Sequence, residues 1–272
     1  MVVQHNLTAM NSNRMLGLTQ SSLTKSTEKL SSGYRVNRAA DDAAGLAISE
    51  KMRRQVRGLT QASRNAQDGI SAVQTAEGAL NEVHDMLQRM NELAVQAAND
   101  TNMSADRNYI QAEINALASE ITRVASTTTF NEQSLLNGSF TGKNLQVGSE
   151  AGQKIKISIS KMSASSLGVA ATSVKVSSFD QANTAISNIK KALVSVSKQR
   201  SDLGAIQNRL EHTINNLNNV VENTTAAESQ IRDTDMATEM VKYSNSNILA
   251  QAGQAMLAQS NQSNQGVLSL LG

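Results

Sequence analysis

Apolar residues recur every seven positions through both halves of the sequence, and no proline interrupts either half. In the N-terminal half they form pairs with the inner spacing of three that the a/d seam of a coiled coil requires. These pairs are Leu59/Ala62, Ala66/Gly69, Val73/Ala76, Leu80/Val83, Leu87/Met90 and Ala94/Ala97. The C-terminal half continues the frame at Ile186/Ile189, Leu193/Val196, Leu203, Leu210, Ile214/Leu217, Val221 and Ile231, with polar interruptions at Arg200, Gln207, Thr224 and Glu228. The pattern predicts two long helical arms, one from each half, that pack as an antiparallel rod.

Turn and capping residues divide these arms into separate predicted helices. Residues 4–33 form a weakly amphipathic helix, and Asp41 and Asp42 are placed to cap the next helix, from about residue 44 to about 99. A turn at residues 99–102 leads into a shorter antiparallel helix that ends near Ser126. The second arm is predicted from about Phe179 to about Asn223, with a last helix starting at about Thr224.

Glycines break residues 127–178 into short segments in which apolar residues alternate. Leu145 and Val147 precede a turn at residues 148–152, and Ile155, Ile157 and Ile159 follow it, which predicts a β-hairpin. Val174 and Val176 suggest one further short strand. The predicted fold class is therefore mainly α, a long antiparallel helical rod or coiled coil built from both chain ends. A small β-hairpin region, about residues 138–178, lies at the chain midpoint.

The amino-acid composition argues against several classes of function. Aromatic residues make up 2% of the 272 residues and Trp is absent, so the core must consist of aliphatic side chains, which suits helix seams better than an enzyme pocket. The formal net charge is +2 and no long basic run occurs, which argues against a nucleic-acid partner. No apolar run approaches the roughly 18 residues of a transmembrane helix, so no membrane insertion is expected. The first twenty residues do not resemble a cleaved signal peptide.

The sequence contains few candidate catalytic or metal-binding residues. The three histidines, His5, His84 and His212, have no metal-ligand spacing, and no nucleotide-binding or hydrolase motif occurs. Adjacent carboxylates such as Asp41 and Asp42 at a helix start are far more often caps than a catalytic pair. We therefore expect no enzyme activity, no metal site and no cofactor. The periodicity by itself leaves two alternatives open, an intracellular coiled-coil scaffold and a filament subunit.

Both halves of the chain contain specific sequence segments that a heptad pattern alone does not require. The N-terminal half reads EKLSSGYRVNRAADDAAGLAIS at 28–49, QDGISAVQTAEGAL at 67–80 and QRMNELAVQAAND at 88–100. The C-terminal half reads LGAIQNRLEHTINNLNN at 203–219, AAESQIRDTDMATEM at 226–240 and NILAQAGQAMLAQSNQ at 247–262. In this order, the segments closely resemble the two conserved ends of bacterial flagellins.

The resemblance implies an extracellular structural subunit that polymerises into the bacterial flagellar filament for swimming motility. It implies a terminal coiled-coil inner domain of residues 1–42 plus 230–272, and an outer helical rod of residues 43–229 without the variable domains that many flagellins carry. The partners it implies are further copies of the chain, a flagellar export chaperone, the filament cap and the hook-junction proteins, with unfolded export through the flagellar type III system. A hook-filament junction protein, which shares parts of these patterns, remains the alternative within the resemblance.

Three residue sets follow from the resemblance. The polymerisation stripes are Leu7, Met10, Leu16, Leu23 and Leu30 near the N-terminus and Val241, Ile248, Leu249 and Met256 near the C-terminus. A second set resembles the part of flagellins that binds the flagellin-sensing Toll-like receptor. Its members are Gln88, Arg89, Leu93, Gln96, Ile110 and Glu113. Asn91, within the same segment, differs from the Arg that is common at its position in such flagellins. The C-terminal set that resembles leucines sensed by inflammasome receptors is Val267, Leu268, Leu270 and Leu271.

Overall fold

The structure, a computed structural model, describes the backbone of residues 6–268 and the side chains of residues 6–263. In this part of the chain, five helices and two β-hairpins form. The helices are α1 (Leu7–Ser32), α2 (Ala43–Ala97), α3 (Ser104–Thr127), α4 (Phe179–Arg232) and α5 (Met236–Leu268). The strands are β1 (Thr129–Phe130), β2 (Gln133–Ser134), β3 (Lys143–Gln146) and β4 (Lys154–Ile157). The predicted fold class, mainly helical with a small hairpin region at the chain midpoint, is confirmed.

The two adjacent aspartates before α2 have different roles. Asp42 caps the helix as predicted, since its Oδ1 accepts a hydrogen bond of 2.8 Å from the Gly45 backbone N–H. Asp41 does not cap α2; its Oδ2 accepts from the backbone N–H groups of Arg38 at 2.9 Å and Asn37 at 3.2 Å. The hydrogen bond from Arg38 is the main reason that the pKa of Asp41 lies below its ordinary value. Asp41 therefore stabilises the connector between α1 and α2.

The predicted break between α4 and the last helix, near Asn223 and Thr224, is wrong. Helix α4 continues to Arg232, because the low helix propensity of Asn and Thr is a weak effect that does not by itself end a helix. The chain turns instead at Asp235, whose Oδ1 accepts from the N–H of Ala237 at 2.9 Å and of Thr238 at 3.3 Å. These are the bonds of a helix N-cap, so α5 begins at Met236.

The predicted hairpin is confirmed, and a second one was missed. Strands β3 and β4 pair antiparallel with Leu145 opposite Ile155. Strands β1 and β2 pair across a two-residue turn at Asn131 and Glu132, which both have positive φ, 47° and 62°. Positive φ at both central residues is the type I′ geometry that matches strand twist. In the sequence, Asn131 alone pointed to this turn, because Glu132 stands where the usual Asn-Gly pair of a type I′ turn has Gly.

Val174 and Val176 are buried but do not form the predicted strand. The side-chain amide of Gln111, on α3, binds this segment from both sides. Its Nε2 donates to the Val174 carbonyl at 3.0 Å and its Oε1 accepts from the Val176 N–H at 2.9 Å. One glutamine side chain thus satisfies the backbone groups that a partner strand would have satisfied.

Residues 55–221 form one compact unit, called here the middle unit. Every α2 seam residue named above is buried in it, and Leu80, Leu87 and Met90 are completely inaccessible. Helices α3 and α4 contribute Ile114, Ile121, Ile189 and Leu203 to the same core. The heptads therefore predicted the packing of this unit correctly.

The remaining residues, up to Arg54 and from Glu222, form a second compact unit, called here the terminal unit. In it α1 packs along α5. Leu16 lies against α5 at Gly253, where an added Cβ would come within 3.3 Å of the leucine Cδ1. The compact units divide at 54/55 and 221/222, while the domain boundaries expected from the resemblance, 42/43 and 229/230, stay a prediction.

Candidate assembly surface

Helices α1 and α5 of the terminal unit expose many large apolar side chains. Ten of them, each between 47% and 69% exposed, occur among the described residues of these two helices. They are Leu7, Met10, Met15 and Leu18 on α1 and Met236, Met240, Val241, Ile248, Leu249 and Met256 on α5. We call these ten residues the terminal apolar surface. So many exposed large apolar side chains are typical of a protein that binds other chains through them rather than of a monomer exterior.

The residues of the predicted polymerisation stripes differ in exposure. Six of the nine predicted residues belong to the terminal apolar surface, whereas Leu16, Leu23 and Leu30 are half-buried. Met15, Leu18, Met236 and Met240 are also exposed but are not among the predicted residues. The prediction followed a seven-residue spacing, whereas Leu7 and Leu18, eleven residues apart, share a face of a straight helix of 3.6 residues per turn.

A buried polar pair joins the two helices of the terminal unit. Ser26 of α1 donates a hydrogen bond of 2.7 Å to Glu239 Oε1 of α5, and both side chains are buried. Lys242 donates to the other carboxylate oxygen at 3.4 Å. Burial raises the pKa of Glu239, but the Ser26 hydrogen bond and the charges of Lys242 and Lys29 outweigh it and hold the pKa below its ordinary value of 4.5. Because a buried carboxylate needs its partners, this pair favours one alignment of α1 on α5.

The two connectors of the terminal unit are bound to each other. The Arg35 N–H donates to the Arg232 carbonyl at 2.7 Å, and the Thr234 N–H donates to the Gly33 carbonyl at 3.0 Å. Gly33 has the left-handed φ of 76° that ends α1. These bonds hold the α1–α2 connector against the α4–α5 connector.

The predicted receptor-type residues lie on α2 and α3 of the middle unit and differ in accessibility. Gln88, Arg89, Gln96 and Glu113 are exposed, whereas Leu93 and Ile110 are buried in the core. Arg89 Nε donates to Glu113 Oε1 at 3.0 Å and its Nη1 donates to Glu92 at 3.1 Å. The hydrogen bond with Glu113 is the main cause of the raised pKa of Arg89. The structure therefore brings Arg89 and Glu113 together and leaves Leu93 and Ile110 inaccessible in the isolated chain.

The predicted C-terminal set, Val267, Leu268, Leu270 and Leu271, lies outside the residues whose side chains the structure describes. Within residues 6–263, no group of three or more histidines and carboxylates is arranged to hold a metal ion. None of the described helices combines the length and apolarity needed to cross a membrane.

Comparison with known proteins matches both ends of the chain to one family. Residues 3–141 match the bacterial flagellin N-terminal helical region, and residues 186–271 match the bacterial flagellin C-terminal helical region. The flagellin of Halalkalibacterium halodurans is 54% identical over 271 residues, covering 100% of both chains. The flagellar filament 31.3 kDa core protein of Treponema maltophilum is 50% identical over 285 residues, again covering 100% of both. The crystal structure of Bacillus cereus flagellin is 29% identical, with a TM-score of 0.49, covering 57% of this chain and 88% of that one.

Proposed function

The chain belongs to the bacterial flagellin family, and from this premise we propose that its terminal apolar surface is where successive copies bind one another. The chain is a structural subunit that polymerises into the flagellar filament, which lies outside the cell. What we propose is which residues form the contact between copies, namely those of the terminal apolar surface. In the filament, the terminal domain expected at residues 1–42 plus 230–272 forms the inner layer and residues 43–229 form the outer rod.

The observation that carries this proposal is the exposure of ten large apolar side chains on α1 and α5. Complete burial of one Leu, Ile or Met side chain contributes roughly 1.5–3 kcal/mol. Neighbouring copies that cover ten such half-exposed to two-thirds-exposed side chains would gain on the order of 10 kcal/mol before the entropic cost of association. A repeated contact of this kind is sufficient to drive polymerisation.

The experiment removes one helix of this surface at a time. A chain lacking residues 1–40, or one lacking residues 235–272, is expected to keep most of its helical circular dichroism, because α2, α3 and α4 remain. Neither truncated chain is expected to polymerise, and electron microscopy with sedimentation measures this against the full chain. Normal filaments from either truncation would refute the assignment of this surface.

Two other functions make different predictions for the same chain. A hook-filament junction protein would occur in few copies, and an intracellular coiled-coil scaffold would remain inside the cell. Electron microscopy of appendages sheared from cells, combined with mass spectrometry, distinguishes all three. Abundant filaments composed of this chain exclude both alternatives.

The proposal extends to export. Among the residues of α1, only the Ser26 side chain is buried. Helix α1 therefore contributes few buried side chains to the terminal unit and is readily unfolded. This supports passage of the unfolded chain through the flagellar type III system, with an export chaperone before it and the filament cap and hook-junction proteins beyond it. The chain is expected to stay inside cells that lack the type III system. Its appearance outside such cells would contradict this route.

A host receptor is a further partner that we propose for the middle unit. The exposed residues Gln88, Arg89, Gln96 and Glu113 support it, since their side chains are available to a receptor. Arg89 and Glu113 present a fixed pair of opposite charges. The buried residues Leu93 and Ile110 would act indirectly, by positioning α2 against α3.

A further inference from the structure

The middle unit contains a cavity of about 310 Å³ between α2 and the two hairpins. Three half-buried apolar side chains, Phe130, Phe140 and Leu145, line it, together with the charged Lys143 and Asp68. The Lys143 Nζ lies 5.9 Å from the centroid of the Phe140 ring. Two of the three phenylalanines in the chain thus remain partly uncovered in one place.

The size of the cavity limits what can occupy it. Pockets for small molecules range from roughly 300 to 1,000 Å³, so this cavity lies at the lower limit. It suits a single aromatic side chain with an apolar ring and a polar tip better than a larger ligand. A polar tip would meet Lys143 and Asp68.

A matching side chain is exposed elsewhere on the middle unit. Tyr109, near the start of α3, is 78% exposed, the largest value for any large apolar side chain among the described residues. Met103 just before α3 is 75% exposed. The Arg107 side chain fixes this region by donating to the Ala97 and Asn99 carbonyls at 3.1 and 3.3 Å. Tyr109 is therefore held out from an ordered helix, as an interface anchor must be.

The charges around these two features are complementary. The exposed carboxylate of Asp106 lies one helical turn before Tyr109, whereas Glu113, one turn after it, is paired with Arg89. Exposed lysines occur on the hairpin that borders the cavity, at Lys143, Lys154 and Lys156. Complementary charge of this kind favours docking and fixes its orientation.

Tyr109 and the cavity cannot meet within one chain. Because Glu113 binds Arg89, Tyr109 lies about one turn further along α2, near residue 93, whereas Gly69 and Ala72 line the cavity. At 1.5 Å per residue, these positions are about 30 Å apart. A contact between two copies would leave one tyrosine and one cavity free, and such a heterologous contact builds an open helical filament when its rotation does not close into a ring.

We propose that Tyr109 of one subunit inserts into the cavity lined by Phe130, Phe140 and Leu145 on the next subunit. The contact joins middle units head to tail, in addition to the contacts of the terminal apolar surface. It rests on the proposed polymerisation of this chain.

The first test measures the critical concentration for polymerisation by sedimentation. Tyr109→Ala is expected to raise it about tenfold or more, whereas the matched control Val194→Ala, at a 68% exposed site on α4, is expected to leave it unchanged. Because both side chains are exposed, urea unfolding of the two variants should match that of the parent chain.

The second test uses the absence of cysteine from the chain. Ala112→Cys lies one turn from Tyr109, and Asn144→Cys lies at the edge of the cavity. Oxidised filaments of this double variant are expected to give a ladder of disulfide-linked multimers on a non-reducing gel. The control pair Ala112→Cys with Val194→Cys is expected to give none.

The outcomes separate the contact from polymerisation itself. Filaments of the double variant without the ladder, or an unchanged critical concentration for Tyr109→Ala, would each overturn the contact and leave the proposed function intact. If the parent chain formed no filaments, the proposed function would fail, and this contact with it.

Discussion

The Arg232 guanidinium carbon lies 4.6 Å from the centroid of the Tyr34 ring, in the geometry of a cation–π interaction. The same guanidinium donates through Nη1 to Glu50 Oε1 at 3.1 Å, and the Arg232 side chain is only 13% exposed. Arg232 ends α4, Tyr34 follows α1 and Glu50 lies in α2. One side chain therefore joins three segments of the terminal unit where its two connectors meet.

Arg232→Ala is expected to destabilise the terminal unit by about 1–3 kcal/mol, because it removes both interactions and uncovers Tyr34. Urea unfolding followed by circular dichroism measures the effect. The matched control is Arg53→Ala, which removes the other arginine bound to Glu50, in an exposed i,i+3 pair that should contribute less than about 1 kcal/mol. Equal effects of the two substitutions would show that Arg232 is an ordinary surface residue.

Glu239 should make the stability of the terminal unit depend on pH. Its pKa in the folded chain lies below the ordinary value of 4.5, so folding favours the ionised form. The resulting stabilisation is present above about pH 4.5 and is lost as the pH falls through the lower folded value. The pKa of Asp235 is lowered in the same sense, first by the Thr238 hydroxyl hydrogen bond, and adds to the loss in acid.

Glu239→Gln is therefore expected to be less stable than the parent at neutral pH and to lose less stability between about pH 6 and pH 3. Urea unfolding at stepped pH measures both slopes. Glu82→Gln, at an exposed position on α2, serves as the control for removal of one carboxylate. Parallel curves for the parent and Glu239→Gln would contradict the role assigned to this carboxylate.

Arg89→Ala should weaken binding to the flagellin-sensing Toll-like receptor by about tenfold to a hundredfold, because a charge-assisted hydrogen bond contributes about 1.5–3 kcal/mol. The fold should be unaffected, since Arg89 is exposed and bonded only through its head group to Glu113 and Glu92. Surface plasmon resonance with the receptor ectodomain measures the affinity. The control is Arg123→Ala, which removes a similarly exposed arginine paired with Glu120 on α3. Unchanged affinity for Arg89→Ala would count against the receptor site.

The contribution of α2 to the core of the middle unit could be predicted from sequence because it largely follows one periodicity. The α2 seam residues between Leu59 and Ala97 lie on the heptad frame and are buried. The alternation around Leu145 and Ile155 forms the expected hairpin. In both cases a spacing alone decides which side chains face inward.

The errors arose where a distant side chain decides the local structure. Val174 and Val176 carry a strand pattern, but Gln111, more than sixty residues away, binds their backbone. The start of α5 depends on the Asp235 cap rather than on the weaker helix propensity at Thr224. The heptad also did not indicate which side of α1 is exposed, because Leu23 packs within the subunit while Leu18 faces outward. The role of the heptad leucines in polymerisation stays a prediction. No local pattern distinguishes a face covered by the same chain from one covered by another copy.

Leu18 and Leu23 provide a direct test of that distinction. Both are leucines on α1, but Leu18 is 60% exposed and Leu23 is half-buried. Leu18→Ser should leave the urea unfolding of the monomer unchanged and raise the critical concentration for polymerisation about tenfold, because the side chain would be buried only against another copy. Leu23→Ser should lower the stability of the terminal unit by about 1–3 kcal/mol and impair polymerisation only as a consequence. If Leu18→Ser polymerised like the parent while Leu23→Ser did not, the half-buried heptad, and not the terminal apolar surface, would be the contact between subunits.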